Sequence, residues 1–199
     1  MRLESNTARS VPEDAIDQYV IDPEGSNFTV QAVSAGILAA FGHSPKIVIR
    51  DFGGLVRFDL ENGKLSNAQL HLTIRADSLA VADNINEKDR DEIQRQMLES
   101  VLEVDRFPEI VYDCSSVTAN GAGNRFWVTL NGELNLHGAV KPQPVTARLV
   151  VNGESLRASG EFSVRQSDYE IQPVTAVAGT IKLKDELKCT FDLIAKKQQ

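Results

Sequence analysis

The chain has 199 residues, of which 42% are hydrophobic and 25% charged. That composition supports one well-buried core and excludes a disordered, collagenous or coiled-coil chain. The formal net charge is −7, with acids spread along the chain rather than blocked. This excludes the basic surface that a nucleic-acid backbone requires, and no apolar run is long enough to span a bilayer as a helix.

Residues 1–24 mix Ser, Asn, Pro and acids, with Ile16, Tyr19, Val20 and Ile21 as their apolar anchors, and read as a tail or strap preceding one domain over 25–197. No apolar h-region follows Arg2 and Arg9, so the expectation is a cytoplasmic protein, or a periplasmic one if the chain is a trimmed mature form. FTVQAV from Phe28 alternates as a first strand. The small-residue stretch SAGILAAFGHSPK follows, expected as a turn of helix across a barrel mouth. KIVIR (46–50) and LVRFDL (55–60) are strands, Asn62-Gly63 is a turn, and AQLHLTIRA puts Leu70, Leu72 and Ile74 inward against Gln69, His71, Thr73 and Arg75 outward.

From Asp83 to Pro108 the period changes. Ile93, Met97 and Val101 share one line with Leu98 and Leu102 beside it, which predicts one amphipathic helix with Asp83 as N-cap and Pro108 forbidding continuation after Arg106 and Phe107. Surrounded by strands, that helix is expected to act as a lid or plug. Strands resume at EIVYDCSSV (109–117). RFWVTLNGELNLHG then carries Phe126, Val128, Leu130, Leu134 and Leu136 in one phase around Asn131-Gly132, a pair that suits a type I′ turn or a bulge. PVTARLVV and LRASGEFSV are strands around Asn152-Gly153, and the last segment reads as two strands about Asp185 and Glu186. Short connections of this kind permit only antiparallel pairing, and a sheet of about eight strands with one wet face closes on itself.

The usual nucleophile, zinc and phosphate motifs have no match in the chain. His71 falls on an outward phase, His137 stands out of phase at a strand end, and His43 lies in the small-residue loop; the reading is two surface histidines and one loop histidine, with no metal and no cofactor. Cys114 and Cys189, each inside a strand pattern, are read as core residues, their pairing left open. Trp127 is phased opposite Phe126 and Val128 and is expected to be covered by the strap or the helix.

Several motifs in this order resemble the YceI-like family of lipocalin-like, polyisoprenoid-binding barrels, over Tyr19 to Lys196. FTVQAVSAGILAAFGHSPKIVIRDFGGLVRFD is similar to the family's opening strands, KDRDEIQRQMLESVLEVDRFPEIVYDCSSV to its Arg-Asp helix and following strand, GELNLHGAVKPQPVTARL to its hairpin, and SVRQSDYEIQP to its turn. The chain departs where the family carries His-Leu and has Ile93-Gln94 instead, and where it carries Gly and has Glu170. The resemblance implies a mainly all-β, closed antiparallel barrel with one long amphipathic helix. Its partner would be an amphiphilic lipid, and a homodimer is compatible with it. The implied function is non-enzymatic binding of a polyisoprenoid, quinone-like or fatty-acid or amide-type amphiphile. The expected lining is Phe28, Val30, Ile47, Ile49, Val56, Phe58, Leu72, Ile74, Val128, Leu149, Phe162, Phe191 and Leu193, with Phe41 and His43 near the mouth. Two alternatives compete: a stress-related interaction barrel with a filled core, using Trp127 and the helix face, and a lipid-modifying enzyme using His43 with Asp51 or Asp168.

Overall fold

The computed structural model describes residues 17–35, 46–172, 175–176 and 181–198. The chain forms β1 (Asp17–Ala35), β2 (Lys46–Ile49), β3 (Phe52–Glu61), β4 (Lys64–Arg75), β5 (Leu79–Val81), α1 (Glu87–Gln96), β6 (Glu109–Cys114), β7 (Val117–Ala122), β8 (Arg125–Leu136), β9 (Ala139–Val151), β10 (Ser155–Arg165), β11 (Thr175–Ala176) and β12 (Ile181–Lys197). Eight of these close a ring in the order β1, β3, β4, β6, β8, β9, β10, β12, with β12 returning to β1. Every pairing in it is antiparallel. The closed antiparallel barrel is therefore as the alternation of apolar residues requires. No described helix is long and apolar enough to cross a membrane.

Several boundaries differ from the sequence reading for identifiable reasons. The first strand begins at Asp17, not beside Phe28, because Tyr19 and Ile21 face the core while Val20 faces out. A bulge at Pro23–Ser26 interrupts the alternation and hides this continuity: Asp22 Oδ1 accepts from Glu24 N–H at 3.2 Å and Ser26 Oγ donates to Asp22 O at 2.6 Å. The last segment is one strand, β12, rather than two. Asp185 does not turn the chain; it accepts from Ser167 N–H at 2.8 Å and Ser167 Oγ at 2.6 Å, tying β12 to the turn at Gln166–Tyr169.

Asn131-Gly132 is neither a turn nor a bulge in its own strand, since β8 pairs β9 without interruption from Arg125 to Leu136. Gly132 occupies an inward position, and a Cβ there would stand 2.5 Å from the Tyr112 ring; the missing side chain makes room for the aromatic. The two-residue turn falls at His137-Gly138, both with positive φ, where His tolerates the left-handed region and Gly adopts it freely. His137 is consequently not a surface residue. Its side chain is 11% exposed, Nδ1 lies 3.2 Å from Tyr169 O, and its ring packs tilted against Phe107 with centroids 4.3 Å apart. His71 does face outward, its ring beside Asp113.

The helix is shorter than its apolar pattern. α1 is capped by Asn86, whose Oδ1 accepts from Asp89 N–H at 2.9 Å, while Asp83 accepts from Lys46 N–H at 2.9 Å. A π-helical turn at Met97–Val101 follows, and Glu103 in the left-handed region ends the run before Pro108 can act. Ile93, Met97, Leu98 and Val101 pack on the core. Trp127, 63% exposed, is not covered by the helix.

The departures from the family pattern both acquire a structural meaning. Glu170 has φ +61, a conformation that costs a non-glycine residue steric strain and explains why glycine suits the position. Gln94 reaches the free edge of β5: Val81 N–H donates to Oε1 at 2.9 Å and Nε2 donates to Leu79 O at 2.6 Å. One side-chain amide thus replaces a neighbouring strand. Gln94→Leu leaves both part-buried backbone groups unpaired and is expected to cost about 1–3 kcal/mol, read as a lowered urea midpoint with unchanged m-value.

Cys114 and Cys189 are free and buried. Burial pushes the Cys189 thiol up to about 12 and raises that of Cys114. Ellman's reagent at pH 8 should titrate neither thiol rapidly in the folded protein and both after denaturation.

Candidate functional site

The barrel encloses a cavity of about 130 Å³ with no polar atom exposed on its wall. That is room for on the order of ten water molecules, yet an apolar wall keeps such a space dry. The inward phase of each strand builds it: Phe28 from β1, Val56 and Phe58 from β3, Leu72 and Ile74 from β4, Val128 from β8, Leu149 from β9, Phe162 from β10, and Phe191 and Leu193 from β12 all stand on the wall. Of the other residues named from the sequence, Ile47 and Ile49 are buried on β2 and Val30 is half-buried on β1, all packed in the core rather than on the cavity wall. The reason is topological. β2 pairs the second half of β1 and β5, outside the ring. Phe41 and His43, with the small-residue stretch expected at the mouth, lie outside the described residues.

The structure adds wall residues that the sequence reading left out. Tyr112 is the principal one. Its hydroxyl donates to Gln143 O at 3.0 Å and lies 3.3 Å from Leu130 O, so the phenol is satisfied by backbone while its ring faces the cavity. Burial raises its pKa above that of a free tyrosine, which keeps it neutral. Ala147 and Ala195, both fully buried on the wall, keep the middle of the barrel open by being small. The vacant slot at Gly132 was the sequence signal for Tyr112. An inward position without a side chain needs a large neighbour to fill it.

At one side of the cavity four aromatic rings meet. Phe28 makes edge contacts with Phe52, Phe162 and Phe191 at centroid distances of 6.2, 6.4 and 6.2 Å. Phe191 also covers Gly160, where a Cβ would stand 2.8 Å from its ring. Such edge-to-face pairs add about 0.5–1.5 kcal/mol beyond area burial. Tyr19 and Phe58 stack at 5.2 Å, with the Tyr19 hydroxyl donating to Gly153 O at 2.8 Å.

On the outside, Asp113 Oδ1 lies 2.6 Å from His71 Nδ1, and Thr73 Oγ1 lies 3.1 Å from His71 Nε2. The carboxylate can only accept, so Nδ1 carries the proton and, in the neutral ring, Nε2 accepts from the Thr73 hydroxyl. Asp51, one of the acids named with His43, lies 3.5 Å from Arg75, while His43 itself lies outside the described residues. Among the described residues no group of His, Cys, Asp and Glu is arranged to hold a metal ion.

Phe191→Ala should enlarge the cavity and destabilise the fold by about 3–5 kcal/mol, while restoring part of that loss on addition of an apolar ligand that fills the space; thermal melting with and without the ligand checks both.

Residues 19–195 match the YceI-like domain family. Protein YceI of Salmonella newport strain SL254 is 28% identical over 180 residues, covering 88% of this chain and 78% of that protein. Among solved structures, BcnA of Burkholderia cenocepacia superposes with a TM-score of 0.67 at 18% identity, over 88% of this chain and 99% of that one. A polyisoprenoid binding domain from Saccharophagus degradans, implicated in plant cell wall breakdown, superposes with a TM-score of 0.66 at 11% identity, over 90% and 98%. At these identities the superpositions establish the shared barrel.

Proposed function

The chain belongs to the YceI-like domain family, and from that membership we propose that it binds a long-chain amphiphile inside the barrel and carries or stores it without chemical change. The observation that carries this reading is the cavity: a closed ring of strands around a space whose wall exposes only apolar atoms. Such a wall offers a hydrocarbon tail everything and a polar solute nothing. The polyisoprenoid binding domain from Saccharophagus degradans has the same fold, which makes an isoprenoid chain a natural member of the ligand class.

The interior also supports binding without turnover. The one ionisable side chain among the described wall residues is Tyr112, neutral and engaged with backbone carbonyls. General acid–base catalysis needs a group that exchanges a proton near the working pH and reaches the substrate. A buried isoprene unit contributes gross about 3–4 kcal/mol at roughly 0.8 kcal/mol per CH₂, offset by the cost of immobilising ligand and side chains. Affinity that grows with buried area discriminates tail length poorly, so saturated and unsaturated chains of similar bulk should compete.

Native mass spectrometry of the freshly purified protein, followed by denaturing extraction, tests the proposal. A stoichiometric long-chain species should be released. An empty protein that takes up neither added isoprenoids nor fatty amides would overturn the reading.

A further inference from the structure

Gln69 lies on β4 between Ala68 and Leu70, which are half-buried, and is itself exposed. It nevertheless borders the inner cavity. A residue of the outward phase borders the interior where the sheet beside it is left unpaired. The pairings show a missing ladder beside it. β4 pairs β6 from Arg75 as far as Leu70 opposite Cys114, and β7 pairs β8 alone. Leu65–Gln69 of β4 and Val117–Ala122 of β7 are therefore neighbouring strand edges without a ladder between them.

Two irregularities hold this seam apart. On β4, Asn67 adopts φ +50 at a register shift against β3, and its Nδ2 donates to Asp59 Oδ2 at 2.6 Å. Opposite it, Asp113 pairs Glu133 while Val117 pairs Leu130, so four residue steps face three and the strand bends at Ser115–Ser116. The seam is closed at its far end, where the turn at Gly63 meets that at Gly123: a Cβ on Gly63 would stand 2.9 Å from Gly123 N. It is a bounded slot in the wall rather than a frayed edge.

Outside the slot runs a polar groove bordered by Arg57, Gln69, His71, Asp113, Asn131 and Glu133, and it shares Gln69 and Leu70 with the cavity. Its charges oppose one another: one guanidinium, which donates to Gln18 Oε1 at 3.1 Å, stands with two carboxylates. Both ring nitrogens of His71 are already engaged. The Gln69 amide makes no hydrogen bond among the described residues and is available to a ligand.

We infer that the β4–β7 seam is a lateral portal, through which an amphiphile keeps its tail in the cavity and its polar end in the outer groove, and that the groove selects an uncharged hydrogen-bonding head, an amide or hydroxyl, over a phosphate. The inference rests on the amphiphile-binding reading above. A cavity of about 130 Å³ does not enclose a long chain together with its head, so the polar end must emerge, and it emerges where polar groups adjoin the opening. Asp113 and Glu133 repel a phosphate there, while an amide or hydroxyl meets Gln69 and Asn131 without desolvating a charge.

Three probes with one C18 tail test it: oleamide, oleate and oleyl phosphate, followed by calorimetry and stopped-flow tryptophan fluorescence. The wild type should bind oleamide at least tenfold tighter than oleyl phosphate, and Glu133→Gln should narrow that gap at least threefold. Ala68→Trp, which fills the seam from β4, should slow oleamide association at least tenfold; if it fails to fold, the exposed-site variant Gln69→Trp is read instead. Val140→Trp, on the exposed outer face of β9, should bind as the wild type does. Association at the wild-type rate in a folded seam variant overturns the portal, and oleyl phosphate binding as tightly as oleamide overturns the head-group selection. If no probe binds the wild type, the amphiphile reading itself falls, and the portal with it.

Discussion

The pairing of the first strand with the last is the constraint on which the rest of this structure depends. β1 and β12 run side by side from Tyr19 opposite Lys197 to Ala35 opposite Lys182, so the two ends of the folded domain must meet before the ring exists. Closing so long a loop costs only logarithmically more entropy than closing a short one, but it places the decisive contacts at the greatest sequence separation. The bulge at Pro23–Ser26 lets one strand serve several partners. Before it β1 pairs β3, after it β1 pairs β2, and β12 follows it throughout. Lys196 fastens the bulge from the opposite strand, with Nζ 2.7 Å from Asp22 Oδ2, and this hydrogen bond holds the Asp22 carboxyl below the usual range.

Ring closure removes most unpaired edges, and three of those that survive among the described residues are handled by different devices. Gln94 supplies the missing donor and acceptor at β5. The N-terminal part of β9, which pairs β8 but not β10, carries Pro142 and Pro144, residues without an N–H to offer a foreign strand. The edges of β4 and β7 face one another across the seam, their hairpin tips in contact. An edge left next to an apolar cavity is where interior and solvent communicate, so the irregularities of the sheet decide access while its regular part decides capacity.

The division of polarity follows the same geometry. Inside, the one described titratable wall residue is neutral and spends its hydroxyl on backbone carbonyls. Outside, the charged side chains pair with each other, as Arg157 does with Asp192 through Nε to Oδ1 at 2.7 Å, and such exposed pairs add little to stability. The Asp192 carboxyl is held below its usual range by Arg157. The contribution it makes is thus present at neutral pH and lost as pH falls through the acid range.

Period-two alternation determined the strands, their inward faces and the antiparallel barrel, because burying one face of a strand is a property of local spacing. It put ten residues that line the cavity, from Phe28 to Leu193, on inward faces in the same way. The tertiary structure alone decided which buried residues face the cavity. Ile47 and Ile49 have the same pattern as Leu72 and Ile74, yet β2 joins the sheet beside the ring rather than in it. It decided the turns as well: Asn131-Gly132 has the stronger local turn chemistry, but Tyr112 occupies the space over Gly132 and the chain turns at His137-Gly138 instead. The helix was legible as an apolar stripe, whereas its end at Glu103 and the use of Gln94 as a substitute strand depend on what lies across from them. The seam was not legible at all. A bulge is a mismatch between two strands, and neither strand's sequence records the residue count of the other.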